Sequence, residues 1–111
     1  VSQAEIYRQS FAISVCTAED LPSPTVIGAQ AANELLNIKG IKASFVLTDY
    51  QGKIYVSARS IDEVNVQIVM ERMGGGGHMN VAACQMEGVG IVEAIGALKR
   101  TIDDMQDNGE I

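Results

Sequence analysis

Residues able to do chemistry gather at three places in this sequence: Ser57 with Arg59, the run Met73-Gly74-Gly75-Gly76-Gly77-His78, and Asn80 just beyond it. Four consecutive glycines are costly to order, because each loses more backbone freedom on folding than any other residue and buries no side chain. Such a run is either a disordered linker or a place where backbone closely approaches something. Linkers sit in polar, low-complexity surroundings; here an apolar helical pattern precedes the glycines and the chain's only histidine follows them. The run therefore reads as a binding loop whose N–H groups, unobstructed by any Cβ, can wrap an anion. The bland alternative is a helix C-cap at Gly74 with a floppy connection behind it.

Arg59 closes a strand-type run and offers a planar fork suited to phosphate, although a surface salt bridge explains it equally well. Ser57 alternates with it and so shares its strand face. His78 can donate to an oxygen or stack on a base, against a structural place at the start of the next turn. Asn80 is the weaker candidate, since an N-cap role accounts for it. Gly76→Val is expected to disable binding, because a β-branched residue resists a positive φ.

Other chemistry is missing. The chain has no Asp and His cluster for catalytic metal ions, no Ser–His–Asp set and no nucleophile beside a base, so it holds neither a catalytic residue nor a metal site of its own. Cys16 and Cys84 are too few and too far apart for a disulfide scaffold or a zinc signature, and read as reduced thiols of a cytosolic protein. The net charge is −6 and the eight basic residues are scattered, which argues against bulk nucleic-acid binding. A small anion needs only one arginine and a few backbone amides. With 111 residues, 47% hydrophobic and 20% charged, the chain suits one soluble domain, and no apolar run could span a bilayer.

The elements that must position these residues follow from periodicity. Ser2-Gln3-Ala4-Glu5 fits a capping box opening a short helical turn through Tyr7. Residues 11–15 alternate as a first strand, and Ala18-Glu19-Asp20-Leu21 leaves it as a loop. Ser23-Pro24 starts a helix with Ile27, Ala31, Leu35 and Ile38 on one face and Ala32 and Leu36 beside them; Gly40 ends it, with Ile41 placed for a Schellman contact. Residues 43–49 and 54–59 form a hairpin through Tyr50-Gln51-Gly52-Lys53. Tyr55, Ser57 and Arg59 share a face that cannot be a dry core, since a buried, unpaired arginine costs several kcal/mol on the order given for buried ions. Asn65 is the preferred N-cap of a second helix striped by Val66, Val69, Met70 and Met73, with a Ser60/Glu63 capping box as the rival. Asn80-Val81-Ala82-Ala83 reads as one helical turn before a last strand at residues 84–87. Ile91, Ile95, Leu98, Ile102 and Met105 stripe a final helix whose acidic end is expected to fray. The order predicts a single α/β sandwich domain with one mixed sheet of about four strands covered by helices.

Ser57-Ala58-Arg59-Ser60, Asn65-Val66, and Gly74-Gly75-Gly76-Gly77-His78 with Asn80 and Ala82-Ala83 together resemble the DHH-associated C-terminal domain of DHH-family phosphoesterases. The run from Ile41-Lys42-Ala43-Ser44-Phe45-Val46 through the motif is similar to the membrane-anchored cyclic-di-AMP phosphodiesterases of Gram-positive bacteria. The resemblance implies a substrate-binding domain, placed at 11–106, with 1–10 the remnant of an interdomain connection and the acidic tail at 107–111 expected to fray from its charge. It also implies a piece of a longer protein, as does the start at Val1. A preceding DHH domain would hold two manganese ions that activate water, while this domain closes the cleft. Arg59 would grip phosphate, and the glycines with His78 would contact the nucleotide, giving linear di-adenylate as product. The fragment would be cytoplasmic and inactive alone, its parent a phosphodiesterase held in the cell membrane. Short oligoribonucleotides and 3′,5′-adenosine bisphosphate are substrate variants. The competing readings are a nucleic-acid-binding module like that of RecJ-like exonucleases or oligoribonucleases, and a domain whose glycine loop docks on the catalytic partner without touching ligand. A homodimer is also compatible.

Overall fold

Ser23 starts the first helix as its type dictates, its hydroxyl accepting from the Val26 N–H. Around that helix the computed structural model describes residues 4–17 and 23–111, so the loop expected at residues 18–21 lies outside the described residues. In chain order the elements are β1 (Ala4–Tyr7), β2 (Phe11–Thr17), α1 (Pro24–Leu35), β3 (Ala43–Tyr50), β4 (Lys53–Ser60), α2 (Val66–Arg72), β5 (Gly76–His78), β6 (Val81–Glu87) and α3 (Ile91–Asp107).

The strands form one mixed sheet of order β1-β2-β3-β4-β6-β5. Only β2 and β3 run parallel, joined by the α1 crossover; every other pairing is antiparallel. The α/β class is as expected, but the sheet has six strands rather than about four. One extra strand is β1, where a helical turn was expected. A single turn has no nucleation advantage, whereas an extended Ala4–Tyr7 pairs with β2. This strand also meets α3: the Tyr7 hydroxyl donates to Asp103 at 2.9 Å, and Lys99 pairs with Glu5 at 2.8 Å. The other extra strand is β5, taken from the glycine run. The short helical turn expected at residues 80–83 is instead the start of β6, because burial there alternates: Ala82 and Cys84 are buried while Val81, Ala83 and Gln85 are exposed.

Helices cover both faces. Beneath α2 and α3 lies the larger core, in which Phe11, Phe45, Leu47, Ile54 and Val56 meet Val69, Met70, Leu98, Ile102 and Met105. Beneath α1 a smaller core joins Ala31, Ala32 and Leu35 to Ala12, Ile41 and Val46. The α1 stripe holds through Leu35, but the helix stops there; Ile38 is exposed while Ile41 is buried beyond Gly40. Asn65 caps α2, its Oδ1 accepting from Ile68 N–H at 3.3 Å, and the rival at Ser60 fails because that residue ends β4. The acidic end of α3 has partners: Arg8 bonds Asp103 and Asp107, Gly109 turns the chain at φ +74°, and Glu110 reaches Arg72 at 3.2 Å.

Hydrogen bonds first from Tyr7 and then from Arg8 hold the Asp103 carboxyl below its ordinary value of 3.8. A depressed carboxylate adds stability above its unfolded pKa, and that stability is lost as pH falls through the folded value. Denaturant midpoints measured between about pH 5 and 2 should therefore fall less steeply for Asp103→Asn than for the wild type. Equal slopes would show that this contact does not tie β1 to α3.

Candidate functional site

Helix α1 packs on β2, β3 and β4 and stops short of the far side of the sheet. The outer face of β4, β6 and β5 is left to line a cavity of about 340 Å³, with Thr25 and Ala29 of α1 as its opposite wall. Strand register fixes what lies across its floor. Arg59 pairs with Val81, which pairs with His78; Ser57 pairs with Ala83, which pairs with Gly76; Tyr55 pairs with Gln85. Paired residues of an antiparallel ladder point to the same face. Arg59 and His78 thus stand in one row, two strand spacings or roughly 10 Å apart, opening into the same cavity.

Arg59 is partly buried and donates to the Ala58 carbonyl at 2.8 Å. Burial lowers the pKa of its guanidinium, but a guanidinium stays charged in a protein. Among the described residues it has no carboxylate partner, whereas Arg8, Lys42, Lys53, Arg72 and Lys99 are all in ion pairs. Ser57 is 6% exposed beneath α1 at Gly28, where a Cβ would come within 2.8 Å of Ser57 Oγ and 3.2 Å of Thr48 Oγ1. Only glycine lets the helix rest that low. Thr48 Oγ1 is buried there without a partner among the described residues.

The glycine run divides its work, which corrects the reading of a loop wrapped around an anion. Gly74, at φ +93°, and Gly75 donate their N–H groups to Glu71 and Met70, capping α2. Those amides are spent. The C-cap at Gly74 is present, yet an ordered strand follows it rather than a floppy connection. A Cβ on Gly75 would strike the Ala83 carbonyl and come within 2.5 Å of Cys84 Cβ; one on Gly77, at φ +144°, would lie 2.6 Å from Ala82 Cα. These two glycines exist for close approach to β6. Gly76 has open space around it and no positive φ, so the strain expected of Gly76→Val is absent. Asn80 faces elsewhere: its Nδ2 donates to Ser60 Oγ at 2.9 Å and to the Val64 carbonyl at 3.4 Å, pinning the connection between β4 and α2. It is a fastening of the fold and does not line the cavity. Cys84 borders the cavity, but burial pushes its thiol up to about 11, which keeps it protonated at neutral pH.

Tyr55 and Gln85 line the cavity and were not among the expected site residues. The alternation that placed Tyr55 on the face of Ser57 and Arg59 could have found it; Gln85 required the register of β6. Among the described residues no group of three His, Cys, Asp or Glu could hold a metal ion, so these residues do not fit a manganese site. No helix among them is long and apolar enough to cross a membrane.

These features define a class: a mixed α/β sandwich with one half-covered sheet face and, among the described residues, a single uncompensated cation in the gap. The DHHA1 domain family matches residues 9–107, and the chain belongs to that family. It is 45% identical over 104 residues to the cyclic-di-AMP phosphodiesterase PdeA of Listeria monocytogenes, covering 93% of this chain and 16% of that protein. With the cyclic-di-AMP phosphodiesterase GdpP of Bacillus subtilis identity is 38% over 111 residues, covering 98% of this chain and 17% of the relative. The chain thus spans about one sixth of these relatives' length. Among solved structures, an exopolyphosphatase-related protein from Bacteroides fragilis superposes with a TM-score of 0.83 at 20% identity, covering 96% of this chain and 32% of that one. The C-Ala domain of Aquifex aeolicus alanyl-tRNA synthetase gives 0.66 at 20% identity, covering 89% and 96%. At such identities these two share the fold.

Substitution by alanine should separate the glycines. Gly75→Ala and Gly77→Ala should each lose about 1–3 kcal/mol through overpacking, read from denaturant midpoints, while Gly76→Ala changes little. Equal losses at all three positions would mean that β5 does not depend on close approach.

Proposed function

We propose that this DHHA1 domain is the substrate-binding part of a cyclic-di-AMP phosphodiesterase, holding the nucleotide's phosphate against a DHH catalytic domain of the same parent protein. The observation that carries the reading is the row formed by Arg59, Val81 and His78 along one cavity. The guanidinium is partly desolvated and has no carboxylate partner among the described residues, so an incoming phosphate competes only with the one bond to the Ala58 carbonyl. Charge-assisted, bidentate bonds of this type are the strong ones. Ser57 borders the same cavity two positions along β4, largely covered by α1, and the small side of Gly76 leaves room for the ligand. His78 can hydrogen-bond or stack at the far end.

The hydrolytic step belongs to the DHH domain, where bound manganese would supply the activated water. This chain's residues bind and orient. The parent is proposed to be membrane-anchored, as the resemblance implies, with this domain on the cytoplasmic side. Nucleic-acid binding in the manner of RecJ-like exonucleases is the second reading. The likeness to C-Ala is one of fold, and the cations here that would have to track a phosphate backbone are mostly tied up in ion pairs.

In the parent enzyme, Arg59→Ala should lower kcat/KM for cyclic-di-AMP about ten- to hundredfold, the equivalent of losing one charged hydrogen-bonding contact, with manganese content unchanged. An unaltered kcat/KM takes Arg59 out of the site. Tighter binding of single-stranded RNA than of cyclic-di-AMP by the isolated chain would favour the second reading.

A further inference from the structure

The cavity has a second end, which the phosphate-binding reading leaves unused. Tyr55 lies four positions before Arg59 on β4, roughly 13 Å along the strand at the usual rise. It pairs directly with Gln85 of β6, on the same face. Neither the Tyr55 hydroxyl nor the Gln85 amide has a partner among the described residues. The Tyr55 ring is partly buried and lies across the cavity from α1, while Gln85 is exposed. Among the described residues no lysine or arginine lines this end. A flat aromatic surface beside a free carboxamide, with no cation between them, suits a planar base that presents a donor next to an acceptor.

We propose that Tyr55 and Gln85 form the base-reading end of this cavity and that Gln85 selects adenine. The proposal rests on the phosphate-gripping role of Arg59. Side-chain carboxamides pair bidentately with the N6 and N7 edge of adenine, the carbonyl accepting from N6–H and the N–H donating to N7. Guanine places two acceptors, O6 and N7, along that edge, so one half of the amide is left opposing an acceptor. The span from Tyr55 to Arg59, shortened by the reach of both side chains, accommodates one nucleotide with its base at one end and its phosphate at the other. A second cavity of about 330 Å³ adjoins the first and shares Ala83, Cys84 and Gln85 with it. Gln85 therefore borders both spaces, so a ligand longer than one nucleotide would pass it.

The test titrates the 111-residue chain with cyclic-di-AMP and with cyclic-di-GMP, followed by the backbone amide signals of Arg59, His78 and Gln85 to millimolar concentration. Wild-type protein should bind cyclic-di-AMP about tenfold more tightly, the lower range for one bidentate base contact. Gln85→Ala, an exposed position whose change leaves the fold intact as checked by the dispersion of the amide spectrum, should bring the two dissociation constants to about the same value. Tyr55→Ala should weaken both ligands alike. A wild type without preference, or a Gln85→Ala variant that keeps it, overturns the assignment of Gln85 while leaving the phosphate site standing. If neither ligand moves the three signals, or if Arg59→Ala leaves both constants unchanged, the phosphate-gripping reading fails and takes this one with it.

Discussion

Close approach of β5 to β6 is the contact on which the arrangement depends. Gly75 and Gly77 lie so near Ala82, Ala83 and Cys84 that no Cβ fits between them, and the facing residues of β6 are correspondingly small. Without that approach β5 would not pair, and His78 would not be delivered to the row of Arg59. The entropy lost in ordering glycines is offset by helix capping at one end of the run and strand pairing at the other. A feature that looks like flexibility in the sequence is an adapter between a helix and a sheet edge.

The two faces of the sheet have different duties. Against α2 and α3 the side chains are large and interlock, so this half supplies most of the apolar burial. Against α1 they are mostly smaller, Ala12, Ser44 and Val46 with one glycine contact, a thin layer that holds the helix low over Ser57 and ends before β6. The cavity is the consequence of that incomplete cover. Arg59 tolerates partial burial because it sits at the margin of the covered area rather than within it.

Much of this was legible. The strand reading of residues 43–49, the face alternation read for β4 and the stripes of α2 and α3 carry into the fold, because they reflect burial that local sequence already encodes, although β3 is buried on both faces. Ser23 and Asn65 announce helix starts through the same hydrogen bonds seen in the structure. Misreadings fall where long-range pairing outweighs local propensity. Residues 2–5 carry a helix-start pattern, yet α3 and β2 offer an extended Ala4–Tyr7 more partners than a lone turn could. Residues 80–83 are equally ambiguous until His78 and Arg59 fix Val81 as a strand residue. Asn80 could not be assigned from sequence, since its carboxamide bonds to residues brought near only by the β4 to α2 connection. Arg59 and His78 could be named as candidates, but their sharing of a row is a property of register.

The pairing of most cations with neighbouring carboxylates has a consequence for how an anion arrives. With a formal charge of −6, the domain's field opposes an approaching anion at long range, and Arg59 is the one lysine or arginine among the described residues that lines the cavity. Repulsion between exposed charges is screened beyond a Debye length of about 10 Å at 0.1 M salt. For the proposed ligand, the first increments of ionic strength would therefore ease encounter before further salt weakened the grip, the reverse of what a basic nucleic-acid binder experiences. For the proposed phosphate ligand, such a field would favour small, compact anions over long polyanions.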